Sequence, residues 1–386
     1  NKLYTAIMMV GLTIALTFVT LIGTFVWQQL DTAHNIEDHD RIYTLGYQTG
    51  EFARVGLYLG AADKIRDNIP EIELSGSFLD MPLQDAEFDG KAIQIKPVSA
   101  DNGFFRIFGH EFIAGSSDVL DDKSNVIVSE SFANANGGAD AVIGKRIILR
   151  GNVFFVAAVL KEQKKSVFKD YDIVVNIESQ INSRLKRFKF YSTTVPFLKI
   201  REGVDIDNIR PKLEEEMKKI AEEGEFLKGP GCIIVNCKDL FFSKYGYIWF
   251  NKSDLKSLKI MLAIVLLLLV SAIFNFVNLS TALSTKRMKE TASRMIIGAD
   301  RKKLFYGYIY ESASISITCG IIAVSTAILL EDPINTLVRS DIPIDVSLSP
   351  AAILIYAVVA ILIGATAGLV PADRKSTRLN SSHSPQ

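Results

Sequence analysis

Few residues that commonly do chemistry in proteins stand at a spacing that catalysis or metal binding requires. The sequence has 4 histidines, at positions 34, 39, 110 and 383, and they show no H-E-x-x-H or other metal-ligand spacing. Ser129 and Ser131 belong to no G-x-S-x-G motif and have no histidine near them in sequence. We therefore predict no catalytic residue, no metal site, no cofactor and no enzymatic activity in this chain.

The nearest approach to a phosphate-binding loop is the segment that ends in I-G-K-R. A P-loop reads G-x-x-x-x-G-K-[ST], but Ala139 stands at its first glycine and Arg146 at its final Ser or Thr. The sequence thus excludes ATP binding by this device. The chain has 43 basic and 43 acidic residues, so its overall charge gives no sign of a nucleic-acid partner, and we expect none.

The apolar residues are concentrated in four runs, each of the length that a helix needs to cross a bilayer, which is about 20 residues. The first run follows Lys2 closely, as a signal peptide would, but it is too long for a cleavable signal and no A-x-A site follows Trp27. We interpret it as a membrane anchor. The predicted spans are residues 1–30 and about 260–285, 304–330 and 350–370.

A basic segment, residues 286–303, separates the second and third spans and holds seven lysine and arginine residues against two acidic ones. Basic residues in short loops stay on the cytoplasmic side, so we place this segment in the cytoplasm, with membrane lipid as one of its contacts. Residues 31–252 then lie outside the inner membrane. Residues 331–349 are predicted to form a short external loop that is punctuated by prolines near its two ends.

The segment 31–252 has the mixed pattern of an α+β domain. Helical spacing of apolar residues predicts helices over residues 57–68 and 206–223, the second covering a sheet with its apolar face. We expect two lobes, around residues 35–160 and 191–240. The fold class is a membrane protein with an α-helical bundle of four spans and a large α+β extracytoplasmic domain between spans 1 and 2. Predicted strands are residues 41–47, 71–79, 92–98, 125–129, 146–149 and 153–160.

Polar and small residues inside the spans predict helix–helix contacts. Four threonines of the first span, at positions 13, 17, 20 and 24, share one helical face. An acidic residue two turns into the third span is costly, and an ion pair or hydrogen bond explains it better than a proton relay does. The predicted packing residues are Ser271, Asn275, Asn278, Glu311, Gly364 and Gly368.

The two ends of the sequence have unusual features. The chain opens at Asn1 without a methionine, and residues 373–386 resemble one reading frame of a common sequencing adaptor more than a disordered cytoplasmic tail. We therefore expect residues 373–386 to have no function. We also expect the natural chain to continue beyond both ends.

Several motifs, in this order along the chain, resemble those of the MacB/FtsX-like permeases of ABC transporters, in particular the Bacteroidetes type. The resemblance covers nearly all of residues 2–372. The motifs are D-R-I-Y at 40–43, SADNGFFRIFGHEFIAG at 99–115, NVIVSESFA at 125–133, I-G-K at 143–145, NFVNLSTA at 275–282, KETASRMIIGADRKKL at 289–304, the Glu311-Ser312 pair and Pro371-Ala372.

This resemblance implies a transmembrane helix at 1–30, a MacB-like periplasmic core domain at 31–252 and an FtsX-like permease domain at 253–372. It further implies an inner-membrane permease subunit that couples ATP hydrolysis by a separate ABC ATPase to motion of the periplasmic domain, in the export of a drug, peptide, lipoprotein or similar cargo. Further implied partners are a periplasmic adaptor protein, an outer-membrane channel and a second permease copy, either as a homodimer or within a double-length chain.

The resemblance also implies that residues 286–303 form a helix that sits on the ATPase. Two departures from the family pattern, Ala292 for a glycine and Met295 for a basic residue, bear on the strength of that contact. The alternative function is a membrane-anchored sensor or scaffold that regulates a periplasmic or cell-wall partner without transport. The implied ATPase-coupling residues are Lys289, Glu290, Arg294, Gly298 and Ala299.

Overall fold

A computed structural model of the chain divides into two compact units. The first, which we call the sheet unit, is Leu30–Ser253, and the second, the helical unit, combines Asn1–Gln29 with Asp254–Gln386. The structure describes residues 2–32, 36–49, 52–162, 168–179, 193–223, 231–243, 253–286, 301–338, 342–346, 349 and 352–366.

The described helices belong to both units. Six helices, α2 to α7, lie in the sheet unit, whereas α8 to α10 lie in the helical unit and α1 supplies the helical unit's first segment. Their bounds are α1 Lys2–Thr32, α2 Ala61–Asn68, α3 Asn102–Phe108, α4 Glu130–Ala135, α5 Ala139–Val142, α6 Ile206–Glu223, α7 Cys237–Leu240, α8 Leu255–Lys286, α9 Arg301–Val338 and α10 Ala352–Thr366.

The described strands of the sheet unit form one 14-stranded mixed sheet. Its main path runs β14-β1-β13-β4-β7-β12-β9-β11-β10-β5-β6, with β2 beside β1, β3 beside β13 and β8 beside β11. The strands are β1 Ile42–Thr49, β2 Phe52–Val55, β3 Leu57–Tyr58, β4 Ile72–Asp80, β5 Gln84–Phe88, β6 Lys91–Ile95, β7 Pro97–Ala100, β8 Phe112–Ala114, β9 Asn125–Ser129, β10 Arg146–Leu149, β11 Asn152–Leu160, β12 Ile173–Asn176, β13 Thr193–Ile200 and β14 Gly231–Asn236.

The strand order corrects the predicted division into lobes at 35–160 and 191–240. Strand β1 pairs antiparallel with both β13 and β14, so the start of the domain is built into the same part of the sheet as its end. Local sequence patterns do not encode such long-range pairing, which is why a division by sequence position was wrong.

Two predicted elements have different bounds in the structure. Residues 57–68 were predicted as one helix, but Leu57–Tyr58 is a strand that pairs with β13, and the helix begins at Ala61. Gly60, with φ of +86°, makes the turn between them. The predicted strand 92–98 is two strands, of which β6 pairs with β5 and β7 pairs with β4 and β12.

Helix α6 covers the sheet as its spacing predicted. Its buried face consists of Ile209, Leu213, Met217 and Ile220, and it packs with residues of α2 and of strands β1 and β13. Glu215, Lys218 and Lys219 are exposed on the opposite side, and Lys219 pairs with Glu215 and with the half-buried Glu216 on the same helix.

Helix α3 fixes the aromatic centre of the sheet unit. Asp101 caps its N-terminus by accepting a hydrogen bond from the Phe104 backbone N–H at 2.8 Å. A Cβ atom on Gly103 would lie 2.0 Å from the Ser75 carbonyl oxygen, so this glycine lets α3 approach strand β4. Phe104 is thereby buried. Its ring centroid lies 5.0 to 6.0 Å from those of Phe78, Phe105, Phe108, Phe168 and Phe197.

Among the described residues of the helical unit, three helices are long and apolar enough to cross a membrane: residues Thr5–Thr32, Leu255–Ala282 and Ile309–Val338. The fourth predicted span, 350–370, is described over Ala352–Thr366, which is a shorter apolar helix, so the structure does not confirm the count of four. The predicted loop 331–349 begins later than expected because α9 continues through Pro333 to Val338.

Candidate functional site

The structure describes only some of the residues that the sequence marks as functional. The predicted ATPase-coupling residues lie in the chain between α8 and α9, outside the described residues. Gly368 of the predicted packing set follows α10 and is also outside them. The five predicted packing residues that are described lie on α8, α9 and α10. The residues outside the description are Lys289, Glu290, Arg294, Gly298, Ala299 and Gly368.

Helices α9 and α10 approach each other closely at small residues. A Cβ atom on Gly364 would lie 2.5 Å from Ala313 Cα, so only glycine fits between the two backbones there. Farther along the same pair of helices, a Cβ atom on Gly320 would lie 3.2 Å from Ala360 Cβ. Gly364 therefore lies beside the residues that follow Glu311, whose own side chain is exposed in the single chain.

The polar residues of α8 do not join that contact. Ser271, Asn275 and Asn278 are all exposed on the single chain. A Cβ atom on Gly11 of α1 would lie 3.2 Å from the Asn275 Nδ2 atom, which places the Asn275 amide beside α1. Gly364 and Asn275 thus lie at two separate helix pairs.

The threonines of α1 contact the other helices. The Thr17 hydroxyl lies 2.9 Å from the carbonyl oxygen of Thr13 in its own helix and 3.4 Å from that of Ala323 in α9. Farther along α1, the Thr24 hydroxyl lies 3.4 Å from the hydroxyl of Tyr356 in α10. These contacts fit the packing interpretation of the threonine face.

One contact cluster of the helical unit was not predicted from the sequence. Two carboxamides, Gln28 of α1 and Asn335 of α9, bond the backbone of the segment 342–346, which precedes α10. Gln28 Nε2 donates to the Asp345 carbonyl at 2.9 Å, and the Asp345 N–H donates to Gln28 Oε1 at 3.3 Å. Asn335 Nδ2 donates to the Ile344 carbonyl at 2.8 Å, and the Ile344 N–H donates to Asn335 Oδ1 at 2.7 Å.

A period-two pattern in the sequence could have revealed this segment. In I-P-I-D-V, the side chains of Ile342, Ile344 and Val346 are buried, whereas Pro343 is exposed and Asp345 is half-buried. Such alternation is typical of an extended segment with one buried face. These five residues, which include Pro343, are too few for the sequence to favour an extended segment over a loop.

The D-R-I-Y motif has a structural explanation in the sheet unit. Arg41 forms ion pairs with Asp38 and Glu73, and its Nε donates to the Ile200 carbonyl at 2.9 Å. Lys199 Nζ lies 2.7 Å from Asp38 Oδ2, and the hydrogen bond from Lys199 holds the pKa of Asp38 below its usual value. The charged groups at the start of the domain thereby bind it to β4 and β13.

The neighbouring Asp40 makes a second link, to the end of the domain. Lys238 Nζ lies 2.6 Å from Asp40 Oδ1, and the Asn236 amide donates to the Asp40 carbonyl at 2.9 Å. The hydrogen bond with Asp40 raises the pKa of Lys238 above its usual value. Together the two links form what we call the base network, which joins the first residues after α1 to β4, β13 and α7.

His110 lies in an aromatic environment. Its ring lies among Phe104, Phe105 and Phe108, and burial lowers its pKa to about 4. A cavity of about 40 Å³ beside it is lined by Ser129, Lys161 and Tyr171 among others. Across the described ranges, no group of three or more His, Cys, Asp or Glu residues could hold a metal ion.

Two protein-family models match the chain, one over each of its two parts. The model of the MacB-like periplasmic core domain matches residues 5–216, and the model of the FtsX-like permease C-terminal region matches residues 262–377. None of the curated proteins matches the chain in sequence.

Three solved structures are similar to part of this chain. A domain of a putative permease from Porphyromonas gingivalis has 21% identity and a TM-score of 0.44 over 52% of this chain and 93% of that one. The periplasmic region of MacB from Actinobacillus actinomycetemcomitans has 15% identity and a TM-score of 0.39 over 51% and 89%. The extracellular domain of the noncanonic ABC-type transporter YknZ from Gram-positive bacteria has 14% identity and a TM-score of 0.38 over 50% and 99%.

The core-domain match spans more than half of the 386 residues and is followed by the permease match. The chain therefore belongs to the MacB/FtsX-like permeases of ABC transporters. It is a multi-pass inner-membrane protein whose core domain lies in the periplasm. Permeases of these families generally work with a separate ABC ATPase.

Proposed function

We propose that this permease transmits motion: a separate ATPase binds the cytoplasmic segment 286–303, and ATP hydrolysis moves the membrane helices and through them the periplasmic sheet unit. The spans do not enclose a path for the cargo. The cargo is a drug, peptide, lipoprotein or similar molecule handled on the periplasmic side.

The observation that carries this proposal is where the membrane helices connect to the sheet. In chain order α1 leads into β1, and β14 with α7 leads into α8. Strands β1 and β14 are neighbours that pair over six residues, from Tyr43 opposite Asn236 to Gln48 opposite Gly231. A displacement of α1 relative to α8 would therefore act on one strand pair.

The base network supports the same proposal because it makes the start of the sheet unit stiff. Arg41 and Asp38 are bound to β4 and β13, and Asp40 is bound to α7. Ion pairs that are partly exposed contribute little singly, but a network fixes the geometry of the segments that it joins. Force delivered through α1 would thus reach several strands at once.

The coupling residues remain a proposal that the family match supports. Lys289, Glu290 and Arg294 would contact the ATPase through charge, and Gly298 and Ala299 would allow close backbone approach. We extend the proposal to a periplasmic adaptor, an outer-membrane channel and a second permease copy. The domain boundaries at 30/31 and 252/253 are supported by the division of the structure into Leu30–Ser253 and the rest.

Co-purification of the full chain with its ATPase tests the coupling segment. The test variant is Glu290→Lys with Arg294→Glu, which exchanges two charges at no change in net charge. The matched control is Asp300→Lys with Lys302→Glu, the same exchange at two residues outside the proposed coupling set. We expect ATPase recovery with the test variant to be lower by about tenfold or more, because like charges would then face each other at the contact and repel.

The outcomes separate the two functions. Equal recovery with the test variant and with wild type would remove the residue assignment. If the wild-type chain itself recovers no ATPase, the sensor or scaffold function replaces transport-coupled motion. Recovery that falls equally in the control would show a general charge effect on the segment and would contradict a specific contact.

A further inference from the structure

The segment 342–346 is held between two membrane helices as a strand is held between its neighbours. In an extended chain the N–H and C=O groups of successive residues point to opposite sides. The N–H and C=O of Ile344 both bond Asn335 of α9, and those of Asp345 both bond Gln28 of α1. Each carboxamide thus copies the two-bond exchange of an antiparallel residue pair.

A third side chain extends this pattern on the α9 side. The Val346 N–H donates to Glu331 Oε2 at 3.0 Å. Val346 is two residues from Ile344 and so presents its N–H to the same side, and Glu331 is one helical turn before Asn335. We call the three side chains, Gln28, Glu331 and Asn335, the clamp.

The apolar contacts of the segment agree with the hydrogen bonds. Ile344 and Val346 are 7% and 5% exposed and cluster with Leu21 of α1 and Ala327 of α9. Phe25, Val324 and Ile334 pack around that cluster. The segment therefore occupies a groove whose two walls are α1 and α9, and the clamp satisfies its backbone groups along both walls.

We propose that Gln28 and Asn335 are positioning residues that connect the outer ends of α1 and α9 through this segment. A movement of α9 and α10 is then transmitted to α1 at this point. The proposal rests on the proposed function. Gln28 is two residues before Leu30, where the sheet unit begins. The segment itself lies between α9 and α10 in the chain. The clamp therefore joins the permease helices directly to the helix that leads into the periplasmic sheet.

The first experiment tests the clamp alone, without the ATPase. Hydrogen exchange of the full chain in lipid nanodiscs is followed in peptides that contain the Ile344, Asp345 and Val346 amides. Gln28→Met and Asn335→Leu keep the approximate side-chain size, add no charge and remove both the donor and the acceptor of each carboxamide. The control is Thr336→Val, because the Thr336 hydroxyl bonds only the Asp332 carbonyl of its own helix in the described contacts.

In wild type and Thr336→Val we expect slow exchange of these three amides. In the double variant Gln28→Met with Asn335→Leu we expect exchange of the Ile344 and Asp345 amides to be about tenfold faster, because their N–H groups lose the side-chain oxygens that accept from them. Fast exchange in wild type would show that the clamp does not form, and this would overturn the proposal.

The second experiment tests the mechanical role. The distance between fluorophores at Lys91 of β6 and Leu337 of α9, both exposed positions, is measured with the bound ATPase, without nucleotide and with ATP and vanadate. We expect a nucleotide-driven change in wild type and Thr336→Val. We expect the double variant to lose at least half of that change while it still binds the ATPase and hydrolyses ATP.

Two contrary results can be distinguished. An unchanged nucleotide response in the double variant, with its amides unprotected, would overturn the clamp as a point of transmission and leave the proposed function standing. A wild-type chain with protected amides, a bound ATPase and no nucleotide response would contradict the proposed function and with it the mechanical role of the clamp.

Discussion

The two units of this permease differ in where their apolar side chains lie. In the sheet unit the interior is filled by large side chains, such as Phe104 at 1% exposure, and exposed apolar residues are few. In the helical unit the opposite holds on the outer surface, where Leu267 is 71% and Leu329 77% exposed on the single chain. The difference arises from the solvent, since lipid favours an apolar surface and water does not.

The same difference decides what holds each unit together. The sheet unit gains its stability from burying apolar area, with a ladder of backbone hydrogen bonds and charged pairs at the surface. Between helices in lipid the hydrophobic effect supplies no such gain, so close packing at small residues and single hydrogen bonds must supply it. Gly364, Thr17 and the clamp are the described examples.

The largest effect is expected in the aromatic core of the sheet unit. Phe104→Ala should lower the free energy of unfolding of this unit by about 3–5 kcal/mol, because it leaves a cavity among five other phenylalanine rings. Phe155→Ala is the matched control at a position that is 45% exposed, and it should cost less than about 1 kcal/mol. Hydrogen exchange of the strand amides measures both, and equal losses would contradict the assigned core.

The next effect tests small-residue packing in the helical unit. Gly364→Val should destabilise the contact of α9 and α10 by about 1–3 kcal/mol, because the new side chain would overlap the Ala313 backbone. Gly307→Val is the control, since a Cβ atom there has no atom within 4 Å. Thermal unfolding in detergent compares the two. A lower melting temperature in the control alone would contradict close packing of α9 and α10 at Gly364.

A smaller effect is expected at the base network. Arg41→Met should cost about 1–2 kcal/mol, because it removes a charged donor from the Ile200 carbonyl and leaves Asp38 and Glu73 with fewer partners. Arg210→Met is the control, because Arg210 pairs with exposed Asp207 on its own helix, and should cost at most about 0.5 kcal/mol. Urea unfolding of the full chain, followed at the sheet amides, distinguishes them. No difference would show that the network adds nothing to the sheet unit.

The last effect is a pH dependence at the cap of α3, which changes stability only over a limited pH range. Burial raises the pKa of Asp101 to about 7 from the ordinary 3.8. Between these two values the unfolded chain is ionised while the folded chain keeps the proton, so this group's contribution to stability is full below about pH 4 and is lost as the pH rises toward 7. The slope is at most about 1.4 kcal/mol per pH unit.

Asp101→Asn removes that slope and keeps an acceptor for the Phe104 N–H. We expect the stability of the sheet unit to vary less with pH between 4 and 7 in this variant than in wild type. Stability measured at several pH values over this range checks it, and parallel curves for the two proteins would contradict the raised pKa.

Elements with strong local patterns were predictable from the sequence, and long-range pairings were not. Strands 125–129 and 146–149 and helix 206–223 have the predicted bounds, because apolar periodicity encodes them directly. The place of β1 between β13 and β14 depends on contacts across more than 150 residues. The segment 342–346 was missed for a related reason, since its partners Gln28 and Asn335 lie on two other elements.

The central claim, that ATP hydrolysis at the cytoplasmic side moves the periplasmic sheet, is tested most directly by the distance between labels at Lys91 and Leu337. The full chain is reconstituted with the ATPase that co-purifies with it. Our account predicts different distance distributions without nucleotide and with ATP and vanadate. Identical distributions, while the bound ATPase hydrolyses ATP, would contradict it.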